Sequence, residues 1–158
     1  DAGQALVADP RIPIISFTGS TAAGRAVGEA AGRHLKRAHL ELGGNSALVV
    51  LEDADIDAVI STAAWGSFFH QGQICMTTGR HLVHRSLYQE YVERLAAKAD
   101  SLAVGDPHRD QVHLGPLIDR HQLAKVHGLV EASAARGAKL AAGLAQTLEH
   151  ELRLLGRS

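Results

Sequence analysis

The sequence of 158 residues lacks several features that would point to particular classes of protein. It contains one cysteine, Cys75, so no disulfide can form within the chain and the fold must rest on packing, as in proteins of reduced compartments. Its longest strictly aliphatic run, Ala47 to Leu51, is far shorter than the roughly 20 residues that cross a bilayer. No signal-peptide pattern follows Asp1. We therefore expect no membrane span and a cytoplasmic location.

The sequence also lacks a large net charge of either sign. Lysine and arginine total 16 against 17 acidic residues, which leaves no basic field to attract a phosphate backbone, so nucleic-acid binding is not expected. A metal site is not expected either, although the chain has ten histidines. No HExxH pair or second cysteine is present, and the spacing of His81 and His84 on a strand would point them to opposite faces.

What the sequence does contain is an alternation of strand and helix patterns. Short β-branched runs with turn signals predict strands, and apolar residues recurring at three and four positions predict helices. This order is typical of an α/β fold with parallel strand pairing. The chain opens on the end of an amphipathic helix before Pro10. Strands are predicted at 12–17, 38–42, 46–51, 81–84 and 138–142, and helices at 22–33, 56–71, 87–99 and 120–136.

Capping residues support several of these helix starts. Ser20 or Thr21 precedes the first full helix, Asp53 or Asp55 the second, and Ser86 the third. Gly24, Gly28 and Gly32 are spaced four residues apart and would lie on one helical face, which allows close approach to a neighbouring element.

The turn Gly19-Ser20-Thr21 between a strand and a helix has two interpretations. Backbone N–H groups at a helix N-terminus and a small hydroxyl form an anion site that suits a cofactor phosphate. Alternatively, Ser20 or Thr21 only caps the helix. The spacing matches neither GxGxxG nor the Walker pattern.

Cys75 and Glu41 each have a chemical and a structural interpretation. A lone cysteine in a loop flanked by Gly72 and Gly79 is a candidate nucleophile, or else a small buried apolar residue. Glu41 lies at a strand end before two glycines, where a carboxylate can serve as a general base or can block edge pairing.

Three ordered motifs give the sequence a resemblance to a known family. FTGST at 17–21, LELGG at 40–44 and GQICMTTGR at 72–80 resemble the aldehyde dehydrogenase superfamily, and Glu41 precedes Cys75 by 34 positions, the family interval. The segments VGDPHRDQVHLGPLID and GAKLAAG extend the resemblance to about residue 143. KRAHLELGG and HQGQICM are most similar to the branch that oxidises benzaldehyde, vanillin and other aromatic aldehydes.

The resemblance implies a role for each matching residue. Cys75 would attack the aldehyde carbonyl, its backbone N–H would supply half of the oxyanion hole, and Glu41 would activate the water that hydrolyses the thioester. Gly19 and Ser20 would contact the diphosphate of NAD or NADP. Leu42 and Gly43 would lie on the nicotinamide side. The partner would be a small-molecule aldehyde, and the full-length family implies a homo-oligomer.

The resemblance also implies a division of the chain. Residues 1–42 would close a Rossmann-type cofactor domain, 43–143 would open the α/β catalytic domain, and 144–158 form a divergent tail. We expect both ends of the sequence to be points where a longer chain has been cut. The family's oxyanion-hole asparagine and adenosine-ribose residues belong before Asp1, and its EEIFGP-type motif belongs after the chain. Asn45 replaces the lysine that commonly follows LELGG.

Two other functions remain open at this point. One is a catalytically inactive remnant that folds or associates through these elements, and the isolated chain is expected to be inactive. The other is an acylating enzyme that passes the thioester to coenzyme A, against which Glu41 argues. In the tail, Leu148, Leu152 and Leu155 share a face and predict an amphipathic helix.

Overall fold

The computed structural model describes residues 2–143, and within them the chain forms two compact units that divide after Gly44. Each unit contains two parallel strands joined by a helix, which confirms the predicted α/β class and parallel pairing. The helices are α1 (Ala2–Ala8), α2 (Thr21–Arg33), α3 (Ile56–Phe68), α4 (Tyr88–Asp100) and α5 (Arg120–Ala135), and the strands are β1 (Ile14–Gly19), β2 (Arg37–Leu42), β3 (Ser46–Val50) and β4 (Thr78–Val83).

The first unit is built from α1 and a β1–α2–β2 motif. Strands β1 and β2 pair in parallel with Ile14 opposite Arg37 and Gly19 opposite Leu42. Val7, Ile15 and Ala31 form its buried core, one residue each from α1, β1 and α2. Burying such side chains supplies most of the free energy that holds a small unit together.

Close packing of α2 on β2 depends on one of the three spaced glycines. A Cβ atom built on Gly24 would overlap the side chain of Leu42, whereas one on Gly28 would make an ordinary contact with Leu40 and one on Gly32 would meet nothing within 4 Å. The prediction that this face serves packing therefore holds at Gly24 and fails at Gly32, which lies near the exposed end of the helix.

The second unit has a β3–α3–β4 motif covered by α4. Strand β4 pairs in parallel with β3, with an irregularity in register between Ser46 and Ala47. Val50, Ile60, Ala63 and Tyr91 form the buried core where these elements meet. A loop with an isolated parallel bridge between Val104 and Leu114 leads to α5.

Helix caps follow the local sequence in most cases. Ser20 accepts a hydrogen bond from the Ala23 N–H at 3.2 Å, and Asp55 accepts from Asp57 N–H at 3.0 Å, so both are N-caps. The prediction for Ser86 is wrong. Its Oγ lies 2.8 Å from His84 Nδ1, and α4 begins after Leu87 without a side-chain cap, because the hydroxyl is already engaged by the histidine.

Two predicted elements differ from the structure. The helix predicted to reach residue 71 ends at Phe68, because His70 and Gln71 have φ angles of 51° and 58°, through which a right-handed helix cannot continue. The strand predicted at 138–142 does not form in the described residues. No described strand lies beside that segment, and an isolated strand cannot pair its backbone groups.

The remaining sequence predictions concern the domain boundary, the tail, membrane spans and metal sites. The predicted domain boundary at 42 lies two residues from the division after Gly44, and the roles assigned to the two domains stay predictions. The helix predicted for the tail lies outside the described residues. Among residues 2–143, no helix is both long and apolar enough to span a membrane, and no group of three or more His, Cys, Asp or Glu side chains is placed to hold a metal ion.

Candidate active site

All five of the predicted cofactor and base residues lie at one edge of the first unit. The parallel register places Gly19 opposite Leu42 and Thr18 opposite Glu41, at the carboxyl ends of β1 and β2. Ser20 and Gly43 are the residues that leave these strands. In open α/β sheets, the carboxyl edge of the strands is where ligands bind.

The turn from β1 into α2 fits a diphosphate. Thr21 begins the helix, and the first N–H groups of a helix have no carbonyl partner within it. No acidic residue occupies this first turn, so nothing there repels an anion. Position 19 accepts no side chain unless Phe17 moves, because a Cβ atom there would lie 2.6 Å from the Phe17 ring. Ser20 caps the helix, and its contact with a cofactor stays a prediction.

Glu41 lies near the exposed end of β2 with one basic neighbour. Its Oε1 is 3.3 Å from His39 Nε2, on the same face of the strand two residues earlier. About two thirds of each side chain is exposed, so water screens the pair and its attraction is weak. Glu41 is thus held loosely, and one residue separates it from Gly43 and Gly44.

Cys75 belongs to the second unit, in the connection of residues 69–77 between α3 and β4, which we call the cysteine loop. The loop begins with three consecutive residues in the left-handed region: His70, Gln71 and Gly72, the last with φ of 70°. This conformation suits glycine but costs a residue with a side chain about 1 kcal/mol or more. Such strain persists only where the surroundings fix the backbone.

Hydrogen bonds within the cysteine loop define the turn that carries the thiol. The Thr77 N–H donates to the Ile74 carbonyl at 3.1 Å and closes the turn around Cys75. The Thr77 hydroxyl donates to the Gly72 carbonyl at 3.0 Å, and the Gln73 N–H donates to the His70 carbonyl at 2.9 Å. Cys75 itself is exposed, so the interpretation as a buried apolar residue is wrong.

The loop is also bound to the segment before α5. The Gln71 side-chain oxygen accepts from the Gly115 N–H at 2.7 Å, and its amide nitrogen donates to the His70 carbonyl at 2.8 Å. Gln73 Oε1 accepts from the Ile118 N–H at 3.3 Å. These contacts lie on both sides of Gly72, so they hold the strained start of the loop.

Close packing next to the loop depends on two more glycines. A Cβ atom on Gly66 of α3 would lie 2.5 Å from the Thr78 Oγ1, and one on Gly79 of β4 would overlap the Asn45 side chain. The Thr78 Oγ1 is buried and has no hydrogen-bond partner among residues 2–143. Helix α3 and the residue before β3 thus pack closely against the residues that follow the cysteine turn.

Sequence reasoning missed two features of these regions. The left-handed conformation of His70 and Gln71 has only a weak local signal, since neither is a glycine and only the histidine is of a type enriched in that region. His39 carried a signal that was overlooked. Residues two apart on a strand share a face, so the order His39-Leu40-Glu41 already places the imidazole beside the carboxylate.

Comparison with known proteins identifies the class to which these motifs belong. The profile of the "Aldehyde dehydrogenase family" matches residues 1–153. The chain belongs to the aldehyde dehydrogenase family, which confirms the resemblance seen in its three motifs.

The chain is also similar to individual proteins of this family. The chain is 71% identical to a vanillin dehydrogenase of Amycolatopsis sp. and 56% identical to a benzaldehyde dehydrogenase [NAD(+)] of Pseudomonas putida, each over 143 residues, or 90% of the chain. It covers 29% of the length of each of these curated relatives. The NAD+ complex structure of an aldehyde dehydrogenase from Bacillus cereus superposes with a TM-score of 0.87 at 34% identity, over 90% of this chain and 29% of that one. The chain therefore has the fold of part of an aldehyde dehydrogenase.

Proposed function

We propose that this chain carries the nucleophile and the general base of an NAD(P)+-dependent dehydrogenase that oxidises an aromatic aldehyde to a carboxylic acid. The observation that carries the proposal is the exposed Cys75 thiol, held in a hydrogen-bonded turn within the family motif GQICMTTGR. The similarity to vanillin and benzaldehyde dehydrogenases supports an aromatic substrate.

In the first half of the reaction, Cys75 acts as the nucleophile. The thiolate sulfur attacks the carbonyl carbon, a C–S bond forms, and the carbonyl oxygen becomes the oxyanion of a thiohemiacetal. The Cys75 N–H donates a hydrogen bond to that oxyanion. Bound NAD(P)+ supplies the acceptor for the hydride that leaves the same carbon. The substrate is then an acyl group attached to Cys75 as a thioester.

In the second half, Glu41 acts as a general base. Its carboxylate takes a proton from water while the water oxygen attacks the thioester carbon. The C–S bond breaks, the acid leaves, and Cys75 is restored. The loose placement of Glu41 next to two glycines supports this role, and water as acceptor makes transfer to coenzyme A unnecessary.

The cofactor would bind at the carboxyl edge of β1 and β2. Gly19 and Ser20 would take the diphosphate, with the N-terminus of α2 as donor, and Leu42 and Gly43 would flank the nicotinamide. Since the chain spans 29% of the curated relatives, we propose that turnover also needs segments outside these 158 residues and that the isolated chain is inactive.

The test is a graft into an enzyme of known activity. Residues 1–143 replace the matching segment of the Amycolatopsis vanillin dehydrogenase, and reduction of NAD+ and NADP+ is followed with vanillin, benzaldehyde and acetaldehyde. We expect faster oxidation of the aromatic aldehydes. Cys75→Ala should abolish turnover, and Glu41→Gln should leave a burst of reduced cofactor followed by a slow steady state.

Matched variants make the result interpretable. Glu52→Gln changes an exposed carboxylate that lies just after β3, outside the proposed site, and should leave the rate unchanged. Turnover that survives Cys75→Ala would overturn the assignment of the nucleophile. Sustained oxidation by the isolated 158-residue chain, abolished by Cys75→Ala, would show that the missing segments are dispensable.

A further inference from the structure

A partly buried hydrogen-bond network joins the two ends of the cysteine loop. His81 on β4 lies at its centre, with its Nε2 atom 2.9 Å from the Thr78 carbonyl oxygen and 3.1 Å from Ser67 Oγ. Its Nδ1 atom is 2.6 Å from the Tyr91 hydroxyl. We call these residues (Ser67, Thr78, His81 and Tyr91) the His81 network.

The partners determine how the imidazole is protonated. The Thr78 carbonyl can only accept, so Nε2 carries a proton and donates it. Nδ1 is then the acceptor, and the Tyr91 hydroxyl donates to it. Burial raises the pKa of Tyr91 to about 12, which keeps this donor protonated at neutral pH. The tautomer of His81 is therefore fixed from both sides.

Ser67 completes the connection across the loop. Its Oγ donates a hydrogen bond to the Thr78 carbonyl at 3.4 Å and also lies 3.1 Å from the Nε2 atom of His81. Ser67 lies in the last turn of α3, and Thr78 is the first residue of β4, so the network joins the residues that flank 69–77. Tyr91 is 3% exposed in the core and anchors the imidazole to α4.

We propose that His81 is a positioning residue, which closes the cysteine loop by fixing Ser67 against Thr78 and thereby holds the turn that presents the Cys75 thiol and backbone N–H. The loop starts in a strained conformation, so its ends must be fixed if the internal hydrogen bonds are to persist. The effect on catalysis rests on the proposed function, whereas the effect on the loop does not.

Amide hydrogen exchange of the 158-residue chain, resolved by NMR, tests the effect on the loop. The reporters are the Gln73 and Thr77 amides, whose hydrogen bonds lie inside the loop, and an amide in the middle of α4. His81→Leu should accelerate exchange at Gln73 and Thr77 by about fivefold for each hydrogen bond lost, relative to α4.

Further variants separate positioning from general stability. His81→Gln retains a donor that reaches the Thr78 carbonyl and should restore most of the protection, whereas Ser67→Ala should accelerate loop exchange as His81→Leu does. His84→Gln, just after the end of the same strand and outside the network, should leave the loop amides unchanged. Equal acceleration in the loop and in α4, or no rescue by His81→Gln, would overturn the proposal.

The graft described above provides the catalytic measurement. His81→Leu should lower kcat by between about 10- and 100-fold while leaving the KM for NAD+ unchanged, since a small displacement of a reacting group has this cost. A changed KM for NAD+ with an unchanged kcat would contradict the positioning role. If the parent graft itself is inactive, the proposed function fails, and the exchange rates still decide whether His81 holds the loop.

Discussion

The two units contain the same strand–helix–strand motif but use it differently. Both place a 13-residue helix between parallel strands. In the first unit residues 34–36 connect the helix to the second strand, and the candidate base and cofactor residues lie at the carboxyl ends of the strands. In the second unit residues 69–77 form this connection, and the candidate nucleophile lies within it.

The connection from α2 to β2 in the first unit is only three residues long, 34–36. Leu35 adopts φ of 53° and is 96% exposed, and the Lys36 N–H donates back to the Ala31 carbonyl at 2.9 Å. Three residues are therefore enough to bring a helix of this length back to a parallel strand. The connection of residues 69–77 in the second unit is longer than this motif requires, and under the proposed function its extra length would serve to present Cys75.

The largest effects are expected where each helix approaches its sheet. Gly24→Ala should crowd Leu42 in the first unit, and Gly66→Ala should crowd Thr78 in the second. Each substitution should lower the free energy of unfolding by about 1–3 kcal/mol, the usual cost of overpacking. Urea denaturation followed by circular dichroism measures this loss.

Matched glycines in open space provide the control. Gly32→Ala in α2 and Gly128→Ala in α5 add the same methyl group where nothing lies within 4 Å. Both should raise the free energy of unfolding by up to about 1 kcal/mol, because alanine favours the helix. If Gly24→Ala and Gly66→Ala also stabilised the protein, the close approach of helix and sheet would be absent in both units.

A smaller loss of stability is expected when the helix caps are removed, and only the cap in the first unit should also affect cofactor binding. Ser20→Ala and Asp55→Ala each remove an N-cap and should each cost about 1 kcal/mol of stability. In the graft, only Ser20→Ala should also raise the KM for NAD+, because only α2 starts at the proposed diphosphate site. An equal rise in KM for both variants would refute that placement.

The smallest effect concerns an ion pair confined to the first unit. The Arg11 side chain, 2.6 Å from Asp9, lowers the pKa of that carboxyl from 3.8 to about 2. Because folding lowers this pKa, the ionised carboxylate stabilises the native state above pH 4, and that contribution disappears as the pH falls towards 2. Asp9→Asn should therefore unfold slightly more readily than the parent at pH 7.

Thermal unfolding at several pH values checks this sign. The difference in Tm between the parent and Asp9→Asn should shrink between pH 4 and pH 2, and Arg11→Gln should reproduce the same pH dependence. The exposure of Arg11 keeps the change small. A constant difference from pH 7 to pH 2 would rule out the ion pair as its cause.

Features with a local cause were predictable from the sequence. The capping roles of Ser20 and Asp55 follow from small polar residues placed just before helix patterns, and the parallel pairing follows from strands alternating with helices. The candidate residues Cys75 and Glu41 were found through motif order. Their roles stay predictions, and the structure adds that one is fixed in a turn and the other is loosely held.

Features that depend on a distant partner were not predictable. The segment 138–142 has the composition of a strand, but a strand needs a neighbour that its own sequence does not reveal. Ser86 has the composition of a cap, but its hydroxyl is engaged by His84. The loop that follows α3 is bound at Gln71 and Gln73 by Gly115 and Ile118, more than 40 positions away along the chain.

The overlap between Gly79 and Asn45 has a consequence for how this sequence can diverge. While asparagine occupies position 45, any side chain at position 79 requires it to move, so mutational drift at the start of β4 is restricted by a residue more than 30 positions earlier. Substitutions at these two positions should arise together among descendants of this sequence. Position 79 should vary only in lineages where position 45 has acquired a smaller residue or one that points away.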